Sequence, residues 1–380
     1  MIWTFQENDS VNTNEVNLAG FKQTGNFHKD VEAICKLMNI QVHPALRPVL
    51  WEVEKPEFNL EEEDAKEPEV KPVTVVKFER HRIDKNTMKA FFHLIPQSVV
   101  RTVKFSNNGI TPSQFDKILD HLYQTPALST VFFDWNPLYK EDFRTLVDAN
   151  DYRYERPEDE PSRFAKFVSQ ESRIKILFLR GNELDDEDVN QICENLKETH
   201  PLKVLDISYN KITATSVETL RDLITSYNKN LEFIGLAKNN LSFEDLEPLL
   251  GAIGKKPFPE DEADAHVKKM KDRDAIVEKN KKLKASKKPE EPVPILDDIE
   301  QQDDGTWMLV QNGQLRHLNL CMNLLDDSHK DEILALLKRT PEEFSITLSG
   351  TGFSKAVIEE IWKELSTEEN PELGQQRLLF

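Results

Sequence analysis

Residues 174–184 read Ile174-Lys175-Ile176-Leu177-Phe178-Leu179-Arg180-Gly181-Asn182-Glu183-Leu184. Apolar side chains at the first, fourth, sixth and last places, with asparagine at the ninth, make the pattern L-x-x-L-x-L-x-x-N-x-L. It recurs downstream as Leu202, Leu205, Ile207, Asn210, Ile212, as Leu231, Ile234, Leu236, Asn239, Leu241, and as Leu315, Leu318, Leu320, Asn323, Leu325. Upstream it stands at Val100, Val103, Phe105, Asn108, Ile110 and at Leu128, Val131, Phe133, Asn136, Leu138. Two degenerate units flank these: Val73, Val76, Phe78, Ile83 with His81 in the asparagine slot, and Ile346, Leu348, Phe353 with Thr351 there. Atypical terminal units are what a stacked array needs as caps.

First positions advance by 27 (73 to 100), 28 (100 to 128), 28 (174 to 202) and 29 (202 to 231). Such a unit requires a short strand, an asparagine amide to satisfy turn backbone groups, and a covering helix. The helix signal is present: Val217, Leu220, Leu223 and Ile224 share one face after Ile212, and Val189, Ile192, Cys193 and Leu196 share one after Leu184. The expected fold class is therefore α/β, a solenoid of about eight strand-helix repeats over residues 73–365.

Two intervals break the period. From 128 to 174 is 46, and the surplus includes the polar, proline-bounded stretch Asp151–Pro161, read as a surface loop. From 231 to 315 is 84, three times 28, yet residues 255–292 show no strand-like alternation. Between Lys268 and Lys288 stand ten cations against Asp272, Asp274 and Glu278, so 10 − 3 = +7 in 21 residues. A protruding helix from Pro259 to Ala285 is predicted, ended by Pro289, Pro292 and Pro294, with a hairpin at Asn312-Gly313 before the chain re-enters the array. Residues 255–310 thus form a charged insert with its hairpin. Residues 1–72 read as an irregular extension with one helix near His28–Met38, and residues 366–380 as a C-terminal tail. Within the extension, Glu52–Glu69 holds nine acids against Lys55 and Lys66, with Trp51 and Phe58 as anchors, and reads as a solvated linker capping the first repeat.

The 380 residues carry 49 basic and 68 acidic groups, a net charge of −19, with mean hydropathy −0.57. That balance opposes nonspecific nucleic-acid binding by the whole surface, because every phosphate contact needs a local cation. No apolar run reaches bilayer length, and the opening Met1-Ile2-Trp3-Thr4-Phe5-Gln6-Glu7 has no signal-type character, so an intracellular, cytoplasmic address is expected. Cys35, Cys193 and Cys321 form no C-x-x-C, which argues against a disulfide framework or zinc site. Neither G-x-x-x-x-G-K-[ST], H-E-x-x-H nor G-x-S-x-G occurs. His81 and His317 read as packed or surface side chains, Asp185 and Asp186 as a helix start, and Cys193 and Cys321 as structural thiols. The expectation is a protein that is not an enzyme and uses no cofactor, metal or small-molecule substrate.

The repeat length is similar to that of ribonuclease-inhibitor-like leucine-rich-repeat proteins. The Ala33-Ile34-Cys35-Lys36-Leu37 helix, the lysine-rich insert and the re-entry from Asp304-Gly305 to Leu318-Asn319-Leu320 further resemble a ciliary leucine-rich-repeat-containing family. This resemblance implies a non-enzymatic scaffold of the ciliary axoneme, placed on the cytoskeleton. A GTPase-activating protein of the leucine-rich-repeat type is the alternative suggested by fold analogy. It calls for an acidic tail, whereas this chain ends Leu373-Gly374-Gln375-Gln376-Arg377-Leu378-Leu379-Phe380.

Strand side chains alternate, so the third, fifth and seventh places of each unit are expected to face a groove. They are Thr130, Phe132, Asp134; Ile176, Phe178, Arg180; Val204, Asp206, Ser208; and Phe233, Gly235, Ala237. They predict an apolar stripe that a partner helix, or the chain's own insert or extension, would cover. Lys268, Lys269, Lys271, Arg273, Lys279, Lys281, Lys282, Lys284, Lys287 and Lys288 are expected to dock a polyanion electrostatically. Without their +7 the rest of the chain carries −19 − 7 = −26. No aromatic side chains interleave them to stack bases, and weak hydrophobicity disfavours a membrane. Protein partners remain, and under the resemblance these are axonemal proteins or tubulin's acidic surface.

Overall fold

A computed structural model describes residues 3–4, 8, 11–13, 16–47, 72–138, 161–197, 201–228, 230–285, 289, 291–294, 296, 298–310 and 314–380. The chain forms two compact units, Met1–Glu183 and Leu184–Phe380.

In the first unit the elements are β1 (Trp3–Thr4), α1 (Phe27–Leu37), β2 (Val75–Glu79), β3 (His81–Arg82), α2 (Lys85–Leu94), β4 (Thr102–Ser106), α3 (Pro112–Tyr123), β5 (Thr130–Asp134) and β6 (Ile176–Phe178). β2, β4, β5 and β6 pair in parallel, and their register puts Val76, Val103, Val131 and Leu177 in one row and Phe78, Phe105 and Phe133 in the next. All seven are buried. The covering helices start where their caps dictate: Asp84 accepts from the Thr87 amide, and Thr111 and Gln114 form a capping box before Pro112. In the long interval the covering element is a short 3-10 turn, Phe164–Val168. Its Phe167 ring lies 5.2 Å from Phe115 and 5.6 Å from Phe133, filling the place a longer helix takes elsewhere. Its upstream part, 139–160, lies outside the described residues, as does the acidic stretch Glu52–Glu69. The expected N-terminal helix is α1, which buries Val31, Ile34 and Cys35. Asn86 donates to the carbonyls of Asn8 and Val11 and accepts from Thr13 Oγ1, tying the extension to α2.

The second unit contains α4 (Asp186–Leu196), β7 (Val204–Asp206), α5 (Ala214–Asp222), β8 (Phe233–Gly235), α6 (Phe243–Leu250), β9 (Lys255–Pro257), α7 (Glu260–Ala285), β10 (Asp298–Gln301), β11 (Trp307–Val310), β12 (His317–Asn319), α8 (Lys330–Arg339), β13 (Ser345–Thr347), α9 (Lys355–Leu365), α10 (Leu373–Arg377) and β14 (Leu378–Leu379). Parallel pairing aligns Ile234 with Leu205 and Leu318, and Ile346 with Leu318 and Leu378, all fully buried. β12 pairs directly with β8, so the 84-residue interval is a single step of the array and everything between is insert.

Two expectations need correction, and a third, the Asn312-Gly313 turn, falls outside the described residues. Residues 255–257 do form a strand: β9 completes an antiparallel sheet with β11 and β10, and at three residues it is too short to show alternation. The hairpin found joins β10 to β11 through Gln302–Thr306, where Gly305 takes φ +87° and the Gln302 amide donates to the Thr306 carbonyl; Asn312 and Gly313 lie outside the described residues. The stretch 366–380 is no loose tail, because β14 pairs with β13 and the indole of Trp362 donates to the Leu378 carbonyl at 2.8 Å.

The asparagines link successive turns. In the first unit the Asn108 amide donates to Asn136 Oδ1 and the Asn136 amide to Asn182 Oδ1, both at 2.8 Å. In the second, the Asn210 amide donates to Asn239 Oδ1 at 2.8 Å and the Asn239 amide to Asn323 Oδ1 at 3.1 Å. The residue before the asparagine slot is left-handed in all eight repeats, from Asn107 at φ +53° to Gly350 at +72°. The degenerate end units keep that turn, at Arg80 and Gly350, although their slots hold His81 and Thr351.

Candidate protein-binding surfaces

In the first unit the fifth places lie in register, Lys104 beside Phe132 and Phe132 beside Phe178. The two phenyl rings stack with centroids 4.3 Å apart and planes 6° from parallel. Lys104 Nζ lies 5.7 Å from the Phe132 centroid, and the Arg180 guanidinium 5.2 Å from that of Phe178. A cation is attracted to the electron-rich face of a ring, so the pair is bracketed by charge. Lys104 is itself held by Glu79 at 2.7 Å, and this hydrogen bond holds the Glu79 carboxyl below the usual range. Thr130 and Ile176 pair one step earlier on the strands, and both are half-buried. A row of half-buried aliphatic and aromatic side chains with fixed cations suits protein contact. Lys104 escaped the sequence reading because its unit was not projected onto the sheet; the fifth-place rule applied to Val100–Ile110 would have found it.

In the second unit Val204 and Phe233 pair, and His317 continues the row. The His317 ring stacks on Phe233 at 5.1 Å and bonds Ser345 Oγ at 2.7 Å and Thr347 Oγ1 at 3.0 Å; burial pushes its pKa down. A neutral, doubly bonded imidazole extends this apolar surface instead of charging it.

Not every expected groove residue faces outward. Asp134 is buried, and its carboxylate receives the Arg180 amide at 3.0 Å and Nη2 at 2.7 Å, so it positions Arg180. Asp206 is buried over Gly235, where a Cβ would collide with its carboxylate. Ser208 and Ala237 are buried too, the serine hydroxyl accepting from the Ala237 amide. Asp134 and Asp206 close β5 and β7, and Ser208 and Ala237 lie just past β7 and β8, where the amides of the following turn draw short polar side chains inward, so alternation no longer predicts facing.

The eighth place was missed. Trp135, Tyr209 and Met322 occupy it and are among the most exposed large apolar residues, at 47%, 37% and 44%. The signal was available, since these are the residues immediately before each asparagine.

On α7 the cations divide. Arg273 is spent on Asp298, Asp274 and the Leu296 carbonyl, Lys279 pairs with Glu291, and Lys281 with Glu278. Asn280 clamps the returning chain through both backbone groups of Glu291, at 2.7 and 2.8 Å. The helix is therefore strapped by its own return segment rather than bare. Lys268, Lys269, Lys271 and Lys284 are exposed and make no hydrogen bond or ion pair among the described residues, while Lys287 and Lys288 lie outside them.

Burial pushes the Cys35 and Cys193 thiols up to about 11 and about 12, which keeps both protonated at neutral pH. Among the described residues no group of three His, Cys, Asp or Glu is placed to hold a metal ion, and no helix is long and apolar enough to cross a membrane.

A family profile described as Leucine Rich Repeat matches residues 201–223. Among solved structures the chain is similar to the leucine-rich repeat-containing protein LegL7 from Legionella pneumophila, with 12% identity and a TM-score of 0.38, over 72% of this chain and 64% of that one. No curated protein matches. The fold is a leucine-rich-repeat solenoid. Solenoids of this kind generally present extended sheet surfaces to other proteins.

Proposed function

We propose that this protein is a non-enzymatic scaffold that binds other proteins through its sheet surfaces and through α7, as a structural component of the ciliary axoneme. The observation that carries the reading is the stacked Phe132–Phe178 pair, half-buried on the sheet and held between Lys104 and Arg180. Catalysis has no need of such a row, whereas a partner side chain can cover it and exclude water. The unpaired lysines of α7 add attraction for an acidic surface, of which tubulin's is the candidate within an axoneme. The axonemal assignment is supported by the family resemblance of the N-terminal helix, insert and re-entry. Affinity capture from ciliary extract with the wild-type chain and with Phe132→Ser/Phe178→Ser tests it. Loss of specific axonemal proteins from a folded variant is expected. An unchanged set of captured proteins would refute the role of the pair, and capture of no axonemal protein by wild type would refute the location.

A further inference from the structure

The 84-residue interval has a consequence on the helix face of the second unit. α5 packs closely on α6, and α8 on α9, but α6 and α8, the helices on either side of the insert, approach less closely. Between them opens a cleft of about 610 Å³. Its floor is apolar, formed by Phe243, Leu250 and Leu336 with the exposed Ala335 at the edge. Its wall holds Lys256 and Arg339. Arg339 donates to the carbonyls of Leu250 at 2.6 Å and Ile253 at 3.3 Å, which fixes the guanidinium at the C-terminal end of α6. Lys256 lies on β9, the root of the insert, and its ammonium makes no hydrogen bond or ion pair among the described residues. Its ammonium lies against Gly251, where a Cβ would stand 3.4 Å from Nζ, an ordinary contact distance. Burial and the neighbouring Arg339 charge both push the Lys256 pKa down, against the pull of Glu247. Arg221 also lines the cleft but is paired with Asp222 at 2.7 Å, and Glu247 and Glu332 stand as carboxylates on the lining.

We propose that this cleft binds an acidic peptide segment of a partner protein, an apolar side chain seated on Phe243, Leu250 and Leu336 and an adjacent carboxylate bridging Lys256 and Arg339. The two cations repel each other across a partly desolvated space, and an anion between them relieves that repulsion. The carboxylates Glu247 and Glu332 bound the site and exclude a dense polyanion, which selects one acid beside an apolar residue rather than a run of phosphates. This site is separate from the sheet row of the proposed function and does not depend on it.

The test uses the full chain and a fluorescein-labelled peptide of alternating glutamate and leucine, followed by fluorescence anisotropy. Wild type should bind it, and should bind the lysine-leucine counterpart far more weakly. Lys256→Glu should weaken binding by about tenfold or more, the loss expected of one charge-assisted contact. Ala335→Trp should block the cleft, because the exposed edge position admits the indole without touching the core. Lys355→Gln, at an exposed lysine of α9 outside the cleft lining, should bind as wild type does. Equal binding by Lys256→Glu and Ala335→Trp, or equal binding of the lysine-leucine peptide, would overturn the proposal. Displacement of the peptide by inorganic phosphate as readily as by unlabelled peptide would overturn it in favour of a simple anion site.

Discussion

Trp135 occupies the space that a side chain on Gly181 would need: a Cβ built there would overlap the six-membered ring of the indole. Gly181 also sits at φ +67°. Six of the eight repeats place a residue other than glycine in the same turn, Arg80, Asn107, Trp135, Tyr209, Lys238 or Met322, so left-handed backbone alone is tolerated there.

Gly181→Ala is accordingly expected to cost about 2–3 kcal/mol, from roughly 1 kcal/mol of left-handed strain plus overpacking against the indole. Trp135→Ala/Gly181→Ala should recover the overpacking part while keeping the strain. Urea denaturation of the three chains measures this; a Gly181→Ala chain as stable as wild type would show that the indole moves away freely.

The asparagine ladder makes a graded prediction. Asn136 is buried, accepts from the Asn108 amide, and donates to the carbonyls of Phe105 and Asp134 at 3.3 and 3.0 Å. Asn136→Ala leaves the Asn108 amide without this acceptor and takes one donor from each carbonyl, that of Asp134 keeping the Asn107 amide, and should cost about 2 kcal/mol. His81→Ala, at the end of the ladder where only the backbone carbonyl serves Asn108, should cost under about 1 kcal/mol. Comparable losses at both positions in thermal unfolding would contradict the ladder's role.

Arg377 ties the C-terminal segment to the last repeats. It is buried and donates to the carbonyls of Thr340, Pro341 and Phe344 and to Thr340 Oγ1. Arg377→Met keeps the stem and removes the guanidinium donors from all four acceptors, of which the Pro341 carbonyl keeps the Phe344 amide and Thr340 Oγ1 its bonds to Leu336 and Leu337, and should destabilise by about 2 kcal/mol. Deleting residues 373–380 bares the β13 edge and should produce aggregation visible in light scattering.

Asp186 supplies a pH signature. Burial raises its carboxyl, but hydrogen bonds from Ser216 and Thr213 outweigh this and hold it below the usual range. With the folded pKa depressed, its stabilisation is complete above the unfolded value near 3.9 and is lost as pH falls through the folded value. Asp186→Asn should flatten the acid limb of a stability profile relative to wild type; superimposable acid limbs would remove Asp186 from that account.

The lysines of α7 separate into paired and unpaired sets. In microtubule co-sedimentation, changing Lys268, Lys269, Lys271 and Lys284 to Gln should weaken binding about tenfold at low salt and reduce its salt sensitivity. Changing Lys279 and Lys281, already paired to Glu291 and Glu278, should do much less. Equal effects from the two sets would mean that only total charge matters.

The repeat strands, their buried leucines, the asparagine slots and the helix limits of α7 were legible in the sequence because each depends on residues a few places apart: alternation, helical spacing, a cap, a proline. The groove was half legible. Phe132 and Phe178 face outward as their strand positions require, whereas Asp134 and Asp206, which close β5 and β7, and Ser208 just past β7 are drawn inward by backbone amides, those of Arg180, Ser208 and Ala237 respectively.

What the sequence by itself determined is the repeating unit, since a buried leucine row and an asparagine in the turn are written into each of the six complete periods. Tertiary structure alone decided what happens between units. It set Lys104 and Arg180 on either side of a phenyl stack, and it laid Trp135 over Gly181. It also made the last eight residues a helix and strand and opened a cleft beside Lys256 where the insert interrupts the helices. Each of these joins groups from different repeats or across the insert. Their meeting is fixed by packing and by hydrogen bonds between neighbouring turns, which no local pattern encodes.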